Sequence, residues 1–229
     1  MTHVGCHKLS IGPNSVRINH GDTGNPAGVT LGRRNVRKVI VTNNVTLDGV
    51  MQAPGRPDED PRGGFTRGGW SLPYNDAVKA QAMAEGMSKK ADLLFGRRTY
   101  EDFFKVWPSR TDNPFTPVLD NTLKYVASKT LQPPLPWKNS TLLAGDAAHT
   151  VATLKAQPGN DLAVLGSGEL VRSLMRHGLV DEIHLIIHPL VIGAGRPLFA
   201  DDGTFTKFRL MNSLSTTTGV IIASYEIDR

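Results

Sequence analysis

Short β-branched runs alternating with amphipathic helical stretches constrain this chain more than any other feature. Arg37-Lys38-Val39-Ile40-Val41-Thr42 carries the first strand signal, and residues 92–95, 124–127, 141–143 and 162–165 carry others. Between them lie helical patterns. Within residues 76–90, Ala77, Ala80, Met83, Ala84 and Met87 fall near helical spacing. Within residues 99–107, Tyr100, Phe103, Phe104 and Trp107 stand at i, i+3, i+4 and i+7, just before Pro108. Thr99 and Asp102 are spaced like a capping box, with Asp in place of the usual Glu or Gln. Two more helices are expected near residues 151–156 and over residues 169–177, the latter stopped by Gly178. This alternation predicts a parallel sheet covered on both faces. The runs at residues 181–188 and 219–227 have no helix between them, so an antiparallel hairpin is expected at the sheet edge.

The sequence has a pI near 9.4, which raises the question of nucleic-acid binding. Residues 1–38 carry six basic residues against Asp22 alone, and the remainder holds 20 basic and 20 acidic residues. A groove that neutralises phosphates along a duplex should leave surplus charge on the folded body, so no nucleic-acid partner is expected. Residues 1–36 lack helical or strand periodicity and read as a flexible extension before a domain at residues 37–229. No segment is long and apolar enough for a membrane helix, and the N-terminus lacks a secretory apolar run. A cytoplasmic setting is therefore expected, in keeping with the single Cys6. One cysteine also excludes a zinc deaminase site built on cysteine ligands. Residues 54–69, rich in Gly, Pro and charge, read as a long lid or binding loop.

In an open α/β sheet, ligands bind at strand carboxyl ends, where helix N-termini present free N–H groups to anions. Two junctions fit that role. The first is Leu94-Phe95-Gly96-Arg97-Arg98-Thr99, where Gly96 permits a tight turn and two arginines stand at the positive end of a helix dipole. Cations there are unfavourable without an anion, so the pair either binds phosphate or is a solvated helix start. The second is Leu165-Gly166-Ser167-Gly168-Glu169, either a pyrophosphate turn or a turn for close helix–sheet packing. Val171 replaces the third glycine of the full dinucleotide fingerprint.

Thr46-Leu47-Asp48-Gly49 resembles the Ser/Thr-Leu-Asp-Gly segment of the riboflavin-biosynthesis pyrimidine reductase domain. Phe95-Gly96-Arg97-Arg98-Thr99-Tyr100 is similar to the Gly-Arg-x-Thr-Trp segment of dihydrofolate reductases. Leu165-Gly166-Ser167-Gly168, Gly178-Leu179-Val180-Asp181-Glu182 and Gly193-Ala194-Gly195-Arg196-Pro197-Leu198-Phe199 resemble further stretches of these reductases, in matching order. The resemblance spans residues 37–229. It implies a three-layer αβα dihydrofolate-reductase-like fold, with a mostly parallel central sheet and an antiparallel C-terminal edge. It also implies NADPH as cofactor, a small-molecule substrate and a homodimer. The two apolar C-terminal runs, as strands near a sheet edge, agree with a dimer.

Carried over by this resemblance, the cofactor contacts fall on Gly96, Arg97, Arg98, Thr99, Ser128, Lys129, Gly166, Ser167, Gly168, Glu169 and Leu170. Ser128 and Lys129 follow a strand and suit a 2′-phosphate, although Lys129 also reads as a solvated loop lysine. Gly69-Trp70-Ser71-Leu72-Pro73 resembles the Trp-x-Leu-Pro segment of dihydrofolate reductases, in which a carboxylate two positions after the proline meets the pterin. Here that position is Asn75, with Asp76 one residue later. A one-residue shift turns a helical side chain by ~100°, so dihydrofolate is not the expected substrate.

Asp48 and Asp76 are the catalytic candidates. Asp48 also reads as a plain turn residue, and Asp76 as an N-cap. Trp70, Tyr74 and Arg196 are the substrate-side candidates, with Arg196 either binding an anionic group or bracing the sheet end. His184 and His188, four apart on one strand, read as buried or interface residues, and no metal site is expected. The activity these residues imply is hydride transfer from NADPH to a C=O or C=N group of a small heterocyclic or sugar-like substrate. Dihydrofolate reduction and an idle nucleotide-binding protein are the alternatives.

Overall fold

The computed structural model describes residues 36–199 and 201–229; Cys6 and the expected N-terminal extension lie outside the described residues, apart from Val36. Eight strands form one sheet: β1 (Val39–Thr46), β2 (Ala91–Gly96), β3 (Lys124–Ser128), β4 (Ser140–Ala144), β5 (Asp161–Leu165), β6 (Glu182–His188), β7 (Lys207–Ser215) and β8 (Ile221–Asp228). Their order is β4-β3-β2-β5-β1-β6-β8-β7. All pairs from β4 to β6 are parallel, and β8 runs antiparallel to both β6 and β7. The helices are α1 (Ala77–Ser88), α2 (Arg97–Val106), α3 (Phe115–Asn121), α4 (Ala147–Lys155) and α5 (Gly168–Arg176).

Period-two alternation in β2 sorts the core into layers. Leu94 joins Val39, Val41, Val164, Val171 and Leu174 on the face carrying α4 and α5. Leu93 and Phe95 join Tyr100, Val126 and Trp137 on the face carrying α2. The expected three-layer αβα architecture is thus present. At the amino end of the sheet, Arg37 forms a buried ion pair with Asp92, whose other oxygen accepts from Asn160 Nδ2 at 3.0 Å.

The structure departs from expectation in several places. β6 lies between β1 and β8, so it is interior; the edge strand is β7, which the sequence reading missed. It is mostly exposed, with only Phe208 partly buried against the core, and its pairing register shifts between Leu210 and Asn212, which breaks the alternation. α3 was missed as well, because Pro117 interrupts a short segment. α2 begins at Arg97 with Gly96 as N-cap, so Thr99 does not cap it. Asp102 instead takes Arg56 Nη2 at 2.6 Å, and the expected capping box is absent.

The loop at residues 54–69 is folded on itself. Gln52 Nε2 donates to the carbonyls of Asp60 and Arg62, both at 2.9 Å. A Cβ on Gly68 would lie 2.5 Å from the Pro57 carbonyl oxygen, so glycine is required at that crossing.

Candidate active site

The carboxyl ends of β3, β2, β5, β1 and β6 stand in that order along one side of the sheet. At ~4.8 Å per strand this row spans about 19 Å, the scale of a dinucleotide. Three groups of residues occupy it.

The central group joins the two sequence-predicted junctions. Because β2 and β5 are neighbours, the start of α2 meets the start of α5. The Gly96 N–H donates to Ser167 Oγ at 3.0 Å, and the Ser167 N–H donates to Thr99 Oγ1 at 3.2 Å. Gly166 (φ 65°) and Ser167 (φ 56°) both take left-handed backbone, which turns β5 directly into α5. Leu170 anchors α5 in the core. Gly168 lies so close to Met51 that a Cβ would meet its Sδ at 2.4 Å. Two helix N-termini therefore stand side by side, locked by side-chain bonds rather than by loop packing alone.

Charge gathers at the same place. Glu169 meets Arg98 at 2.8 Å, Arg196 at 3.5 Å and Arg62 at 3.7 Å. Asp60 also pairs with Arg62, so three guanidiniums face two carboxylates, and positive charge remains at the α5 dipole's positive end. Arg97 turns instead to Glu101 at 3.1 Å. The two arginines thus have different partners, and only Arg98 joins the cluster. Arg196, expected on the substrate side, belongs to this group.

The second group lies at β3 and β4. A groove of about 870 Å³ is lined in part by Ser128, Lys129, Pro133, Trp137 and Gly145. The Ser128 oxygen accepts from the N–H groups of Thr130 and Leu131 at 3.1 and 3.0 Å and lies 3.5 Å from Thr130 Oγ1. Lys129 is exposed. The Trp137 backbone N–H donates to Tyr100 Oη at 2.9 Å and ties this lining residue to α2.

The third group, at β1, β6 and the start of α1, is the one sequence reasoning largely missed. His188 is fully buried, with Nε2 3.0 Å from Asn44 Oδ1 and Nδ1 without a partner among the described residues. Trp70 and Tyr74 pack edge-on to its ring at 5.1 and 5.5 Å. Burial, with the nearby Lys79 charge adding to it, pushes the imidazole down to about 4, so the ring is neutral at neutral pH. Lys79 is itself buried, and its ammonium donates to Asn75 Oδ1 at 3.1 Å; burial lowers its pKa. The spacing gave no signal for Lys79, because the alanines it put inward, Ala77, Ala80 and Ala84, are exposed and Lys79 is the buried residue of α1. His188 matches the expectation of a buried histidine; Asn44 had no signal.

The two predicted catalytic carboxylates do not converge. Asp48 accepts from Thr46 Oγ1, from Ile192 N at 3.2 Å and from Gly193 N at 2.7 Å, stapling the end of β1 to the loop after β6. Asp76 caps α1 through Lys79 N at 2.7 Å and takes Thr217 Oγ1 at 2.6 Å and Thr218 N at 3.1 Å from the turn before β8. Hydrogen bonds, first that from the Thr46 hydroxyl for Asp48 and first that from Thr217 for Asp76, hold both below the usual carboxylate range. Both are ionised at neutral pH and occupied as acceptors, which makes neither a proton donor. The N-cap reading of Asp76 and the turn reading of Asp48 describe what these side chains do here. Among the described residues no His, Cys, Asp and Glu group is arranged to hold a metal, and no helix is long and apolar enough to cross a membrane.

Comparison with known proteins follows the same lines. A family model described as the RibD C-terminal domain matches residues 37–222. An uncharacterized protein, YyaP, from Bacillus subtilis is 27% identical over 198 residues, covering 82% of this chain and 94% of its own. A solved putative riboflavin biosynthesis protein from Shewanella sp. PV-4 superposes with TM-score 0.60 at 20% identity, over 84% of this chain and 99% of that one. Schistosoma mansoni dihydrofolate reductase does so with TM-score 0.51 at 12% identity, over 84% and 99%. At those identities the two structures speak for the fold, which is dihydrofolate-reductase-like.

Proposed function

The chain belongs to the RibD C-terminal domain family, and from that premise we propose that it is an NADPH-dependent reductase. It acts on a C=O or C=N group of a small heterocyclic or sugar-like substrate, as a riboflavin-type pyrimidine reductase does, and it does so in the cytoplasm. The observation that carries this reading is the locked meeting of the α2 and α5 N-termini beside the Arg62, Arg98 and Arg196 cluster. Helix N-termini and a cluster of three guanidiniums with only two carboxylates suit a pyrophosphate.

Each part of the row takes one portion of the work. Gly96, Arg98, Thr99 and Gly166 to Leu170 hold the pyrophosphate, and Arg97 adds charge at the start of α2. Ser128 donates its hydroxyl proton, and Lys129 its charge, to a 2′-phosphate at the mouth of the β3–β4 groove, which favours NADPH over NADH. NADPH bound along this row would supply the hydride, while the chain supplies position and charge. Trp70 and Tyr74 wall the substrate side together with His188. Asp48 and Asp76 act as braces that set the β1 loop and the α1 start.

Titrating NADPH and NADH against the fluorescence of Trp70, Trp107 and Trp137 tests this reading. NADPH should bind at least ~10-fold tighter, about 1.4 kcal/mol. Equal affinities would remove the 2′-phosphate assignment, and failure of both to bind would remove the reductase reading.

A further inference from the structure

The groove at β3 and β4 has two ends. Ser128, Lys129 and Gly145 line the end at the strand carboxyl termini, where a 2′-phosphate is proposed to sit. Trp137, Lys138, Asn139 and Ser140 line the other, at the start of β4. Trp137 is only 2% exposed, and three contacts fix it besides its packing. Its backbone N–H donates to Tyr100 Oη at 2.9 Å, its indole N–H donates to Asp120 Oδ1 at 2.7 Å, and Lys124 Nζ stands 4.7 Å from its ring centroid. The other Asp120 oxygen meets Lys138 at 3.3 Å. Asn139 is tied in as well, since its carbonyl accepts from the Lys124 backbone N–H at 2.8 Å and its amide donates to the Asp120 carbonyl at 3.1 Å.

Lys124 is the unexpected member. It is fully buried, on the strand face that also carries Val126. Its ammonium donates to the carbonyls of Thr122 at 2.8 Å and Asp120 at 3.2 Å, at the end of α3. Its charge thus rests on neutral carbonyls and the π face of Trp137. An apolar side chain could fill this position without the cost of burying a charge, so packing alone does not call for the lysine. The charged groups around it are Asp120 from α3 and Lys138 from the segment before β4; α2 and β2 bring the Tyr100 hydroxyl, Phe104 and Phe95. Burial, opposed by Asp120 and aided by Lys138, lowers the ammonium to about 8. The proton is held at pH 7 and lost above pH 8. The neutral amine can still bond the carbonyls, but it no longer binds the ring face.

We propose that Lys124 is a positioning residue for the adenosine end of the cofactor: its ammonium holds Trp137, and with it one wall of the groove, in the binding shape, and loss of the proton releases that wall. The effect on the cofactor rests on the 2′-phosphate assignment, whereas the hold on Trp137 does not.

Fluorine NMR of the full chain carrying fluorotryptophan tests the hold, with the Trp137 resonance assigned through Trp137→Phe. That resonance should titrate with a midpoint near pH 8 and should not do so in Lys124→Met or Lys124→Arg. Calorimetry with 2′,5′-ADP, which carries the adenosine end alone, tests the consequence. Wild type should bind it about tenfold more weakly at pH 9 than at pH 7. Lys124→Arg, charged throughout, should keep the tighter affinity at both pH values, and Lys124→Met should show the weaker one at both. A purely structural lysine would change the melting temperature and leave no pH step in affinity. Should Lys124→Met fail to fold by circular dichroism, the wild-type profile and Lys124→Arg still decide. The proposal falls if the Trp137 resonance does not move between pH 7 and pH 9, or if wild type and Lys124→Arg share one pH profile for 2′,5′-ADP. If the resonance titrates through Lys124 while 2′,5′-ADP binds at neither pH, the 2′-phosphate assignment falls and the hold on Trp137 stands.

Discussion

His188 offers a direct thermodynamic test of the buried cluster. In an unfolded chain the imidazole titrates near 6.5; in the folded protein burial, helped by Lys79, brings it down to about 4. The unfolded state therefore binds more protons than the folded state between these values, and stability must decline as pH drops below 6.5. The full shift corresponds to roughly 3 kcal/mol, present at pH 7 and lost progressively toward pH 4. Urea unfolding at pH 7 and pH 4.5 should register about 2–3 kcal/mol of this loss in the wild type. His188→Asn removes the titrating ring and should lose about that much less over the same interval, whatever its stability at pH 7. The raised pKa of Glu59, caused chiefly by burial, works in the opposite sense, and the lowered pKa of His184 in the same sense. Both persist in the variant, so the difference between the two proteins isolates His188. Parallel pH slopes for wild type and His188→Asn would refute the claim that the ring is buried neutral beside Lys79.

Five further outcomes follow from the packing and the charge. Asp92→Ala leaves the buried Arg37 guanidinium without its partner and should cost about 3–5 kcal/mol in urea unfolding. Gly68→Ala drives a methyl group into the Pro57 and Arg56 carbonyls and should lower the melting temperature, which differential scanning calorimetry would read. Arg98→Ala should weaken NADPH by ~1.5–3 kcal/mol in fluorescence titration, while Asp76→Asn should lower the melting temperature and leave NADPH affinity unchanged. The exposed edge strand β7, carrying Leu210, Met211 and Leu214 on its surface, should pair in a homodimer, so light scattering should give a mass near twice 24.9 kDa.

The sheet was legible because its strands carry their own pattern. Val39 and Val41, Leu94 and Val164 are buried on one face at the period their spacing announces, and Tyr100 to Phe104 mark the opposing helix. The β5–α5 junction was legible for a related reason, since Gly166 takes the left-handed backbone (φ 65°) that glycine favours, whereas Gly96 keeps an ordinary extended backbone (φ −78°, ψ 156°) and the tight turn expected there is absent. Side chains that act through long-range partners leave no such mark. Asp48 and Asp76 suggested acids when only their own segments were in view. Their carboxylates are claimed by Gly193 and Thr217, each more than a hundred residues away. Arg97 and Arg98 form one dipeptide in sequence, but the helical turn sends one to Glu101 and the other across to Glu169. The buried cluster at the carboxyl ends of β1 and β6 depends most heavily on such meetings, since Asn44, Lys79 and His188 come from three separate elements. Lys79 left no mark either, since the spacing of α1 pointed to Ala77, Ala80 and Ala84, which are exposed, while Lys79 is buried. A charged residue at a buried helical position has to be reconciled with its burial, and here the Asn75 amide oxygen and the Asp76 charge at the start of the same helix do so, against the desolvation that lowers the Lys79 pKa.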